Sequence, residues 1–324
     1  MKMKKPKALL IAVSILLFIV LIIAVLLFTD FQGEVSDDRA VGSVVAWGRD
    51  NQGQVSNTPI GDDFVDVDVG THHSIALRSD GTVEVWGSDT QGQISSTPTD
   101  QNFIAVAAGF NHNIALREDG TIVQWGWDHN IAKGDRDIVS GETPLRSGFI
   151  AIAAAGNHNL ALRENGSIYA WGWDHDRQVS GRPKDRGYVA ISAGELHNLA
   201  LREDGSIAAW GGDRLGSVKD TPEGTGFNAI AAGARHSMAL REDGTIAAWG
   251  WDLREEISST PTKRGFKAIS VGYTHSLGLH EDGTIAAWGW ERLDAGQIND
   301  VPQGNNFIAI SAGDFHNLAI RAAN

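Results

Sequence analysis

A chain of 324 residues with 38 Gly, 11 Trp and no Cys is rich in turn formers and large packing aromatics, and it excludes both a disulfide framework and a thiolate metal site. Its net charge of −13 opposes the phosphate backbone of nucleic acid, so no nucleic-acid partner is expected. Length alone would allow two domains, but one repeat runs through most of the chain.

Residues 1–7 hold Lys2, Lys4, Lys5 and Lys7, and residues 8–28 form an apolar run whose only polar member is Ser14. As a helix this run is about 31 Å long, enough to cross the hydrocarbon core of a bilayer. It exceeds the roughly 7–15 apolar residues of a secretory signal, and it stops at Thr29-Asp30-Phe31 without a small-x-small cleavage site. The expectation is one transmembrane signal anchor over 8–28, with a cleaved signal as the alternative. The basic tail 1–7 is then cytoplasmic and the remainder extracytoplasmic, at the cell membrane. The four lysines of residues 1–28, which carry no acid, account for +4 of the −13, so the rest of the chain stands at −17. Residues 29–41 are polar and acidic without periodicity and read as a linker.

From residue 42 onward one unit recurs. Trp-Gly begins at Trp47, Trp86, Trp125, Trp171, Trp210, Trp249 and Trp288, at spacings of 39 except for one of 46. A second series lies at His73, His112, His158, His197, His236, His275 and His316, and the first six precede the next Trp by 13 residues. Each unit opens with an aromatic-led apolar run such as Phe266 to Gly272. A His-led run follows, then Asp-Gly or Asn-Gly, then an apolar run into Trp-Gly, then a polar segment such as Gly53-Gln54-Val55-Ser56. That grammar gives three clear strands and a weaker fourth, bounded by Gly and Pro. Asp-Gly between two apolar runs suits a type I′ hairpin turn. A period near 40 with short strands is the pattern of propeller blades.

The ends of the repeat region are complementary. Residues 42–47 run from a turn Gly to Trp47 with no His run before them, while His316 to Arg321 has no Trp run after it. Joined, they complete one blade and close a ring without exposed terminal blades. The fold class expected is all-β: a seven-bladed β-propeller over 42–324, its closing blade shared by N- and C-terminal strands, preceded by one transmembrane helix.

The signature Gly-x-x-His-x-x-Ala-Leu, then Asp-Gly-x-x-x-x-Trp-Gly, then Gly-Gln resembles the regulator of chromosome condensation repeat, in seven copies. The short, plain units look more like secreted bacterial members, including the propeller-type β-lactamase inhibitor proteins. The resemblance implies a seven-bladed propeller that binds other proteins with one rim.

The seven His recur at one register, so ring symmetry keeps them apart; they are expected to bond neighbouring backbone rather than converge on a metal. The Trp of Trp-Gly are expected in blade packing. Acids follow each Trp-Gly at Asp50, Asp89, Asp128, Asp174, Asp213, Asp252 and Glu291, where a turn role competes with a ligand role. No phosphate loop, Gly-x-Ser-x-Gly or His-Glu-x-x-His occurs, so no catalytic residue, metal or cofactor is assigned and no enzyme activity is expected.

Where the copies differ is more informative. Trp127, Trp173, Trp251 and Trp290 directly follow Trp-Gly, in a slot held by Arg49, Ser88 and Gly212 in the other units. The two residues inside Gly-x-x-His vary too, and bring in Phe110, Tyr273 and Phe315. These seven aromatics, with Asp128, Asp174 and Asp252, are the candidate binding rim, and in the inhibitor-like relatives the resemblance puts the partner surface at these two loop positions. Exposed aromatics beside acids and Arg are the composition of a protein-binding hot spot; the alternative is that each second Trp covers its own blade edge. Residues 129–143 form a charged insertion, a binding finger or a tolerated loop. The function expected is a monomeric ectodomain acting as a protein-binding platform. Alternatives are an inhibitor of a secreted or periplasmic hydrolase and a cell-wall glycan binder or hydrolase.

Overall fold

The structure, a computed structural model, describes residues 39–127, 139–140, 143–253 and 255–323. The basic tail, the anchor segment and the linker up to residue 38 lie outside the described residues. Among the described residues, no helix is long and apolar enough to cross a membrane.

Seven antiparallel three-stranded blades follow one another around a ring. The first blade reads, from inside outward, Phe64–Val69, His73–Arg78 and Val83–Gly87. Five more repeat the order, with inner strands Phe103–Ala108, Phe149–Ala155, Tyr188–Ala193, Phe227–Ala232 and Phe266–Val271. The seventh takes Phe307–Ala312 and His316–Ala322 from the end of the chain and Gly42–Gly48 from its beginning, in register from Gly42 opposite Ala322 to Gly48 opposite His316. The shared closing blade is therefore present.

The middle strands are apolar without alternation because both of their faces are covered by neighbouring blades. Ile75, Leu77, Ile114, Leu116, Leu160 and Leu162 are all fully buried. One cluster joins Ile75 and Leu77 of the first blade to Phe103, Val106 and Trp125 of the second. The closing seam is built alike, with Val44, Leu318 and Ile320 against Phe64, Val67 and Trp86. Each such side chain contributes about 1.5–3 kcal/mol when buried.

The Asp-Gly turn differs from the type I′ expectation. Among the described residues, positive φ outside Gly occurs only at Arg177, Leu215 and Glu255, so the turn Asp residues are in ordinary space. In the first blade Gly81 N–H donates to Arg78 O at 3.0 Å, Arg78 N–H donates to Thr82 O at 2.9 Å, and Gly81 alone takes φ +82°. This is a three-residue loop: a type I turn closed by a left-handed Gly. The Asp selects it, because Asp80 Oδ1 accepts both the Thr82 N–H at 2.9 Å and the Thr82 hydroxyl at 2.6 Å, a local bond that fixes Asp at negative φ.

The weak fourth strand is also corrected. After Trp-Gly the chain forms turns in all but one blade, because the next Asp gathers that segment onto itself. The exception is Val139–Ser140 in the insertion, which pairs with Trp173 and Gly172 as a fourth strand. The rest of residues 129–142 lies outside the described residues.

Two faces result. One carries the Asp-Gly turns and the starts of the inner strands, where an Arg covers six of the seven leading aromatics and His280 covers Phe266: Arg78 sits 4.2 Å over Phe64 and Arg202 4.4 Å over Tyr188. The chain enters on this face, since Gly42 lies opposite Ala322, Ala323 N–H donates to Val41 O at 3.1 Å, and Arg39 Nη1 donates to Ile104 O at 3.2 Å. The other face carries every Gly-x-x-His loop and every Trp-Gly end, because His73 pairs with Gly87 across the same hairpin that places Leu77 opposite Val83 at the turn.

Candidate functional site

The repeated polar residues are scaffold, and they form a closed circuit. Each His Nε2 reaches a side chain of the next blade, not the backbone expected from sequence. His73 meets Asn113 Oδ1 at 2.9 Å, His112 meets Asn159 at 2.7 Å and His158 meets Asn198 at 2.7 Å. His197 meets Ser237 at 2.7 Å, His236 meets Ser276 at 2.8 Å and His275 meets Asn317 at 2.6 Å, before His316 closes on Ser74 at 2.9 Å. The partner is the residue after the next His, always Asn or Ser, which has the reach that backbone lacks. Burial pushes all seven imidazoles down, to about 4 for His73 and about 3 for His236. They are neutral rings in a dry interface, unlike ligands gathered at one point.

The Gly-Gln segment completes the circuit. Gln54 O accepts from Trp86 Nε1 at 2.9 Å and from Ser74 Oγ at 3.2 Å, and Gln93 O accepts from Trp125 Nε1 at 2.9 Å and Asn113 Nδ2 at 3.1 Å. In the blade after the insertion, the Gln124 side chain accepts from Trp171 Nε1 at 2.7 Å.

The acids after Trp-Gly are turn residues. Asp174 Oδ1 accepts the N–H groups of Val179 and Ser180 at 2.9 and 2.8 Å, and Asp252 Oδ1 those of Ile257 and Ser258 at 2.8 and 2.9 Å. As candidate rim ligands, Asp174 and Asp252 have that oxygen committed; Asp128 lies outside the described residues. In the last unit the role belongs to Asp294, not Glu291, because the loop there is two residues longer.

The two variable positions are brought together in every blade. The residue after Trp-Gly donates its N–H to the carbonyl just before the His: Trp127 to Asn111 at 2.9 Å, Trp173 to Asn157 at 2.9 Å, Trp251 to Arg235 at 3.1 Å and Trp290 to Thr274 at 3.0 Å. Arg49 does the same to Phe315 O at 2.9 Å. All seven candidate aromatics are half-buried on this one face. Blades five to seven join theirs into a ladder: Arg235 lies 5.0 Å over Trp251 and 4.6 Å over Tyr273, Tyr273 is 5.9 Å from Phe315, and Arg49 lies 4.0 Å over Phe315. Arg235 also hydrogen-bonds the Tyr273 hydroxyl. Phe110 and Trp127 stand on the second blade and Trp173, stacked on His175 at 6.3 Å, on the third, so the nine described candidates divide into two arcs.

Inside the ring the inner strands line a cavity of about 380 Å³. It contains an acid pair, Asp66 and Asp68, that the other blades do not carry. Asp68 accepts Ala108 N–H of the next blade at 2.9 Å and Ser311 Oγ of the last blade at 2.8 Å, and Asp66 accepts Val106 N–H at 3.2 Å. Burial pushes Asp66 up to about 7, with the Asp68 charge adding to it, and raises Asp68 as well. At the cavity mouth burial pushes Asp314 up to about 6 and raises Glu195, which also feels the Asp314 charge. The available signal was Asp in slots of an apolar strand where other units carry Ala or Ser. Among the described residues no group of three His, Asp or Glu is placed to hold a metal ion.

A family model for the regulator of chromosome condensation (RCC1) repeat matches residues 64–93, 103–131, 149–178, 188–217, 227–254 and 266–296. Among solved structures, Prp20p of Saccharomyces cerevisiae, described with its binding to Gsp1p and histones, is 18% identical over 89% of this chain and 93% of its own, with a TM-score of 0.69. Human WBSCR16 is 15% identical over 88% of this chain and 100% of its own, at 0.70. The CRINKLY ectodomain of the Arabidopsis thaliana receptor kinase ACR4 is 19% identical over 81% of this chain and 91% of its own, at 0.62. At these identities the likeness is one of fold. No curated protein matches the sequence.

Proposed function

Because the chain belongs to the regulator of chromosome condensation (RCC1) repeat family, we propose that it is a non-enzymatic, membrane-anchored extracytoplasmic platform that binds another protein through the loop face. The observation that carries this reading is the division of labour between positions. The residues that repeat are consumed by the His–Asn/Ser circuit, the Gln carbonyls and the Asp turns, while the residues that vary converge on one face. Variation without a structural demand is where recognition is written. Two similar propellers fit this use. Prp20 is described bound to Kap60, and the ACR4 propeller is the ectodomain of a receptor kinase.

Anchoring rests on the sequence of residues 1–28, and the geometry suits it. The chain joins the propeller on the Asp-Gly face, so an anchor ahead of Gly42 would leave the aromatic face pointing away from the bilayer. Inhibition of a secreted or periplasmic hydrolase is the narrower form of the same reading, and it predicts inhibition at micromolar protein or below.

The test is capture of partners by the full chain in its own membrane, with a photo-crosslinker on the loop face, against a variant with Trp127, Trp173, Trp251 and Trp290 all changed to Ala. These half-buried rings are expected to carry hot-spot energy of about 2 kcal/mol or more each, so capture falls at least a hundredfold while the melting transition persists. Unchanged capture by a folded quadruple variant sinks the reading.

A further inference from the structure

Stacked Arg residues stand on both faces, and on the turn face Arg163, Arg241 and Arg321 lie on Phe149, Phe227 and Phe307 with no ion pair among the described residues. On the turn face Arg78, Arg117 and Arg202 each lie on an aromatic ring and also pair with a carboxylate, Asp63, Asp100 and Asp185, all at 2.5 Å. On the loop face Arg49 and Arg235 lie on Phe315, Trp251 and Tyr273, yet among the described residues neither forms an ion pair. On the loop face, in a chain with 40 acids against 27 Lys and Arg, both stacked guanidinium groups are left without an ion pair. The acids in reach are poor partners. Asp50 is held in a turn by the N–H groups of Val55 and Ser56, and burial raises Asp314 and Glu195, the second of which feels the Arg235 charge without forming an ion pair with it.

A second feature borders the same arc. Five large apolar side chains are exposed among the described residues, and three of them, Leu215 at 50%, Leu253 at 80% and Leu293 at 40%, sit in the loops that follow Trp-Gly in blades four, five and six. Leu215 is held exposed in a left-handed conformation at φ +64°, which a Leu adopts only at a cost. Exposed apolar side chains in the loops after Trp-Gly and Arg-stacked aromatics beside them make a patch on consecutive blades.

We propose that the partner docks on blades four to seven through a segment of protein alternating acidic and apolar side chains. Its carboxylates take the open donors of Arg49 and Arg235, and its apolar side chains cover Leu253 and Leu293. An Arg already stacked on a ring loses little freedom when it forms a bidentate pair with a carboxylate, and aromatic and Arg anchors with exposed Leu at their edge match the make-up of interface cores. The inference rests on the loop-face reading and adds to it a sector and a chemistry.

The full chain in lipid nanodiscs is titrated with a synthetic peptide alternating Leu and Glu and with its Leu/Gln and Leu/Lys counterparts, with Trp fluorescence as the readout. Saturable binding of the Glu peptide is expected, at least tenfold tighter than either counterpart. In the double variant Arg49→Glu/Arg235→Glu the order reverses in favour of the Lys peptide, an outcome that a purely structural role for these Arg residues would not give. No saturable binding of the Glu peptide, equal binding of the Gln peptide, or an unchanged order in the double variant overturns the proposal. If that occurs while the quadruple Trp variant still loses its partner, the loop face stands and this sector and chemistry fall; if the Trp variant also keeps its partner, the face itself is wrong.

Discussion

Acidification from pH 7 to pH 5 is expected to unfold the propeller cooperatively, with stability falling by about 4 kcal/mol per pH unit near pH 5. The sign follows from which state holds more protons. Each ring His is neutral when folded, its pKa pushed down to about 4 or about 3 where a value is resolved, against 6.5 when exposed; His112 is shifted in the same direction. Between pH 6.5 and about 4 the unfolded chain therefore binds protons that the native ring refuses, and stability drops as pH falls. Four buried acids work against this. Asp66 at about 7, Asp314 at about 6, and Asp68 and Glu195, both raised, hold protons in the native state that an unfolded carboxyl releases at lower pH, so their contribution to stability grows as pH falls through the same window. Seven groups against four leave about three net protons taken up on unfolding.

Urea unfolding followed by Trp fluorescence across that pH range measures the slope directly. Asp66→Asn removes one opposing group and should steepen the slope by about one proton. A flat profile between pH 5 and 7 would mean that the imidazoles are already solvated or charged in the native ring. The turn carboxylates do not enter here, because Asp80 and Asp89, lowered by their bonds to Thr82 and Ser95, lose their contribution only as pH falls below the usual carboxylate range.

The sequence told much about the ring and less about how its blades hold one another. The period, the blade count and the split closing blade were readable because hairpin turns, Trp-Gly and the His series are local patterns repeated in register. Contacts between blades are not local. The residue after each His could be seen to be Asn or Ser, but its bond to the preceding blade's His spans about one repeat and shows only in three dimensions. The turn type departs from expectation for the opposite reason: Asp-Gly signals a backbone preference, whereas the Asp80 side chain decides the conformation. The rim positions were legible as variable slots. The ladder through Arg235 and Arg49 was not, since it depends on which blades are neighbours. Asp66 and Asp68 stand outside the repeat pattern, as departures inside a strand that elsewhere is small and apolar.

Deleting residues 316–324 is expected to abolish cooperative folding, although the segment is a small part of the chain. It supplies the middle strand of the seventh blade, and without it Gly42–Gly48 loses its ladder and Phe307–Ala312 loses its neighbour. Leu318, Ala319 and Ile320 are fully buried, and their loss uncovers Val44, Trp47 and Phe307. At about 1.5–3 kcal/mol for each large side chain, the burial lost is comparable with the roughly 5–15 kcal/mol that holds a typical domain folded. The His316 to Ser74 contact and the seam to the first blade go with it, and an opened ring presents unpaired edges that favour aggregation. A circular permutant separates ring closure from chain order. Because Gly42 lies opposite Ala322, a short Gly/Ser link can join the ends of the repeat region, with new termini in the exposed loop at Glu223-Gly224. All strands are retained, so the permutant should unfold cooperatively within about 2–3 kcal/mol of the parent, as expected for termini moved to an exposed loop. A deletion variant that melts cooperatively near the parental midpoint would show that six blades suffice, and that the shared blade is a consequence of where the chain starts and not the clasp that holds the ring.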